Sequence, residues 1–96
     1  MLAMELIPAI QAGLRELHGR RGDALASGRR AALWRAQQHA ARVDHTLDDL
    51  RSYCLECLRT RHLDEQDENE YLRGFREGFQ AVLNEIRRLE TRDARS

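Results

Sequence analysis

Leu33-Trp-Arg-Ala36-Gln-Gln-His-Ala40-Ala-Arg-Val43-Asp-His-Thr-Leu47-Asp-Asp-Leu50-Arg-Ser-Tyr-Cys54-Leu-Glu-Cys57 is the stretch whose reading decides the fold. Its small or apolar residues at 33, 36, 40, 43, 47, 50, 54 and 57 step alternately by three and four. That is the seam of a helix packed lengthwise on other helices. No proline or glycine falls within it, so the spacing predicts one long central helix, about 24–63. Asp23 and Ser27 are rival N-caps for its start.

Working outward, Leu72, Phe75, Phe79, Val82, Ile86 and Leu89 form a second stripe, which predicts a third helix over about 68–92. Asp67 with Glu70 three residues on makes a candidate capping box for it. Upstream, Ile7, Ile10, Leu14 and Leu17 share one face of a short first helix, about 4–18. Pro8 fits there only in the first turn, where its missing N–H is not needed. Gly19 and Gly22 supply a turn before the long helix.

The expected fold is all-α: a single helical domain over residues 1–96 with three helices. The long second helix should form an antiparallel hairpin with the third, because the polar connection about 64–67 is short. The first helix should pack on its N-terminal part. A hairpin covers only one side of a seam, so a homodimer forming a helical bundle is expected. A monomeric three-helix bundle with a bent second helix is the alternative.

All sixteen cations are arginine, and sixteen carboxylates balance them. Arginine forks suit acidic or phosphate-bearing partners, but a net charge of zero gives no general basis for nucleic-acid binding. No apolar run approaches the ~18 residues of a membrane span. No basic region and apolar run open the chain, so no signal peptide is expected. Two cysteines three residues apart make no extracellular disulfide framework. A cytoplasmic protein is the expectation.

Several features are candidates for function. Tyr71, Gly74, Gly78 and Ala81 form a small-residue groove beside the Phe75/Phe79 stripe. Two helical glycines cost about 1 kcal/mol each against alanine, so a close neighbour should repay them. That neighbour could be a helix of this chain, a second copy or a foreign partner. Trp34 lies off the seam and could be covered by Ile7 or Ile10, or could anchor a partner. Arg15, Arg20, Arg21, Arg29, Arg30 and Arg35 crowd the first helix junction and could meet phosphates or an acidic protein. Cys54 and Cys57 with His62 have the residue types of a partial zinc site, but a fourth ligand is not evident and both thiols fall on the packing seam. A redox pair would want a helix N-terminus rather than mid-helix.

No phosphate loop, nucleophile elbow or paired carboxylates on an apolar face occur, so neither catalysis nor a cofactor is expected. The sequence therefore points to a non-enzymatic homodimeric interaction module that docks on a larger protein as adaptor, inhibitor or assembly factor, of bacterial or phage type. A nucleic-acid-associated regulator using the Arg-rich junction and a small zinc-stabilised helical module are the alternatives.

Overall fold

In a computed structural model, which describes residues 1–20, 22–61 and 70–95, a short 3-10 turn (Ala3–Leu6) precedes four α-helices: α1 (Ile7–Glu16), α2 (Ala24–Ala40), α3 (Leu47–Arg61) and α4 (Glu70–Arg95). Pro8 occupies the first turn of α1. Gly19 and Gly22, with φ of 89° and 83°, take the left-handed conformations that turn the chain into α2. Asp23 caps α2, accepting from the Leu25 and Ala26 N–H groups at 3.0 and 3.3 Å. His62, Asp67 and the polar connection around them lie outside the described residues.

The continuous helix expected over 24–63 is instead two helices. The chain leaves α2 after Ala40 and restarts at Leu47. Three sets of interactions stop it. Thr46 and Asp49 form a reciprocal capping box: the Thr46 N–H donates to Asp49 Oδ2 (2.9 Å), and the Asp49 N–H to Thr46 Oγ1 (3.2 Å). His45 Nδ1 donates to the His39 carbonyl at 2.8 Å, at the end of α2. The N-terminus lies across the bend, with Ala3 N–H bonded to His45 O and Leu47 N–H to Met1 O at 2.9 and 3.0 Å. Of the seam, Leu33, Ala36, Ala40, Leu47, Leu50 and Cys54 are buried, whereas Val43, in the bend, is 77 % exposed.

The bend also changes the topology. Gly74 of α4 lies against Leu25 and Gly78 against Arg29. The positions rise together, so α2 and α4 run in the same direction. The antiparallel partner of α4 is α3 alone, with Arg51 paired to Glu90 and Leu55 beside Leu83 and Arg87. Helix α1 runs against α2, as expected: Gly13 faces Leu33, and the Leu17 carbonyl accepts from Arg30.

Phe75, Phe79, Val82 and Ile86 of α4 enter one core with Leu6, Ile10, Leu33 and Leu50. Phe75 and Phe79 meet edge to face, their centroids 5.0 Å apart. The α2–α4 pairing covers the inner face of α4 from within the chain. Among the described residues no helix is long and apolar enough to cross a membrane.

Candidate partner-binding surface

Gly28, Gly74 and Gly78 line a close contact between α2 and α4. A Cβ on Gly28 would collide with the Tyr71 carbonyl and lie 2.7 Å from the Phe75 nitrogen. One on Gly74 would collide with the Leu25 carbonyl, and one on Gly78 would sit 2.7 Å from the Ala32 Cβ. The Gly74-x-x-x-Gly78 face is therefore filled by α2 of the same chain, the first of the three occupants its spacing allows. Arg29 crosses the same contact to Glu77, its Nε 3.1 Å from Oε1, and this guanidinium holds the Glu77 carboxyl below the usual carboxylate range.

Tyr71 and Ala81, at the edges of that face, remain exposed. Tyr71 stacks on Phe75 with centroids 6.4 Å apart. Ala81 borders a groove of about 460 Å³ between α1 and α4, walled by Ala9, Ala12, Gly13 and Gly78 and floored by Leu33. Glu16, Glu77 and Glu85 stand around it.

The opposite flank of α1 borders a second concavity. Trp34 is 48 % exposed and opens onto a depression of about 690 Å³ with Leu14, Arg15, His18, Gly19 and Arg30. Neither Ile7 nor Ile10 lines this depression. Arg30 and Trp34 are four apart on α2 and so stand on one face, while Leu14 comes from α1 and His18 from the turn that follows it.

The Arg-rich junction is divided by the fold. Arg29 turns to Glu77, and Arg35 lies over the Phe75 ring at 5.1 Å, both toward α4. Arg30 donates to the Leu17 carbonyl at 2.9 Å, at the C-terminal end of α1 where a cation complements the helix dipole. Arg15 and Arg20 are exposed, and Arg21 lies outside the described residues.

Cys54 is buried, and Cys57 packs partly buried at the edge of the core. Burial, with Cys57 as the lesser cause, pushes the Cys54 thiol up to about 12. A thiol held protonated in this way is a packing group rather than a nucleophile or a ready metal ligand. Among the described residues no cluster of three or more His, Cys, Asp or Glu is placed to hold a metal.

One constellation escaped the reading of spacing. His39 stacks on Tyr53 (4.3 Å between centroids, planes 11° apart) and meets the His45 ring at 4.1 Å. Burial, followed by the charges of His45 and Arg42, holds the His39 imidazole below its usual range. These residues converge only because the chain bends between 40 and 47, so a straight helix hides them.

No protein-family model, curated protein or solved structure matches this chain.

Proposed function

We propose that the chain is a non-enzymatic interaction module of the cytoplasm that docks on an acidic surface of a larger protein through Trp34. The observation that carries this is a single tryptophan standing half out of the fold in a depression rimmed by Arg15, His18 and Arg30. A half-exposed indole is a large apolar surface that a partner can desolvate, and tryptophan and arginine are the residues that dominate binding hot spots. Arg15 and Arg30 give the rim a positive charge, which favours an acidic partner and speeds encounter with it. The free thiols of Cys54 and Cys57 accord with a reducing compartment.

The test is affinity isolation from the native host with the wild-type chain and with Trp34→Ala and Arg15→Glu. A protein retained by the wild type and lost from both variants, whose helicity is unchanged, is the expected result. Truncating a hot-spot tryptophan costs about 2 kcal/mol or more, near thirtyfold in affinity. Retention of the same protein by Trp34→Ala overturns the reading. Recovery of nucleic acid, with a steep salt dependence relieved by Arg15→Ala, would establish the phosphate-binding alternative instead.

A further inference from the structure

We infer that the bend between α2 and α3 can straighten, and that the straightened chain exchanges its α3–α4 hairpin with a second copy to form a swapped dimer. The first observation is the mismatch at Val43. The seam keeps its phase through the bend, yet Val43 is exposed while Ala40 and Leu47 on either side are buried. A bend with no straight alternative has no reason to preserve that phase.

The second observation is the backbone of the bend. Residues 41–46 contain neither glycine nor proline, and no non-glycine residue in the described chain has a positive φ. Nothing covalent or steric obliges a break there.

The third observation is that the backbone donors at the start of α3 all have helical replacements. Thr46 N–H now donates to Asp49 Oδ2, Asp49 N–H to Thr46 Oγ1 and Leu47 N–H to Met1 O. In a continuous helix the same donors would reach the carbonyls of Arg42, His45 and Val43, four residues back. The Ala3 N–H, now on His45 O, and His45 Nδ1, now on the His39 carbonyl, return to water.

A straight α2–α3 would span roughly 55 Å and carry α3 away from its own α2. Where α4 keeps its antiparallel packing on α3 and travels with it, α2 is left bare along its Gly28 face. The one surface shaped to that face is α4 of an identical chain. Two copies would therefore remake each α2–α4 contact between them. Exchange of identical elements is an inexpensive route to a dimer, because no new interface need be invented.

Light scattering and native mass spectrometry of the full chain across concentration give the test. Thr46→Ala/Asp49→Ala removes the capping box, and the dimer fraction should rise about tenfold. Val43→Gly/Asp44→Gly penalises a continuous helix and should lower it by about tenfold. Swapping itself is read by mixing Arg29→Glu with Glu77→Arg after co-refolding. In a swapped heterodimer both ion pairs are restored across the chains, so it should exceed the statistical share. A chain that stays monomeric at high concentration even without the capping box overturns the inference. So does a dimer in which the two charge-reversed chains show no preference for each other.

Discussion

Gly74 and Gly13 both interrupt helices, and their surroundings are opposite. A methyl on Gly74 meets the Leu25 backbone, which cannot move without displacing α2. A methyl on Gly13 meets Leu33 Cδ1 at 3.2 Å, the far end of a flexible side chain. Gly74→Ala should therefore lose about 2–3 kcal/mol in spite of better helix propensity. Gly13→Ala should gain up to about 1 kcal/mol, the ordinary alanine advantage. Thermal unfolding of the two variants, moving in opposite directions, checks both. The spacing of Gly74 and Gly78 made a close approach legible in the sequence. The facing Gly28 was not, because at a helix start a glycine looks like part of a turn.

His39 is the residue whose charge the fold resists. Arg42 and His45 from the bend, and Asp49 and Tyr53 from α3, surround it, and its buried Nε2 has no hydrogen-bond partner among the described residues. Its depressed pKa means the unfolded chain binds a proton more readily than the folded one. Stability should thus be full above the usual imidazole value of about 6.5 and decline as pH falls below it. Urea midpoints between pH 7.5 and 5 measure this, and His39→Gln should flatten the decline. A profile identical in wild type and variant would remove His39 from the account.

At the scale of elements, the helical content, the α1 register and the α4 stripe were all readable from periodicity. The division of the central helix was not. Residues 41–46 occupy the chain without shifting the apolar phase, so spacing carries no mark of the bend. Thr46 and Asp49, three apart, are the local signal of a helix start, and it competes with a long, regular seam. What decides between them is tertiary: the N-terminal residues lie across the bend and pair with it. Caps therefore matter more here than in an uninterrupted helix. Asp23→Ala, which frees the Leu25 and Ala26 N–H groups at the start of α2, should cost about 1 kcal/mol in chemical denaturation. The Thr46 backbone and hydroxyl hydrogen bonds hold the Asp49 carboxyl below its usual range. Its contribution to the bend should be intact above that range and disappear as acid protonates it, an effect Asp49→Asn would abolish.

For the whole molecule, the question is whether the helices separate singly or together. Helix α4 is shared by α2 and α3, and Cys54 is sealed beneath that shared core at 0 % exposure. A thiol reagent needs both access and thiolate, and Cys54 has neither, since burial pushes its thiol up to about 12. Cys57, three residues on, is only partly covered. In Cys57→Ser, labelling of Cys54 should follow opening of the core, while in Cys54→Ser the remaining thiol should react many times faster. If α2 and α3 leave α4 together, Cys54 labelling will accelerate with urea along the slope of global unfolding. Gly13→Ala, far from Cys54 in α1, should then slow it by the same free energy by which it stabilises the fold. Labelling that ignores both urea and Gly13→Ala would mean that α3 lifts away alone, and that the pairing of α2 with α4 survives without it.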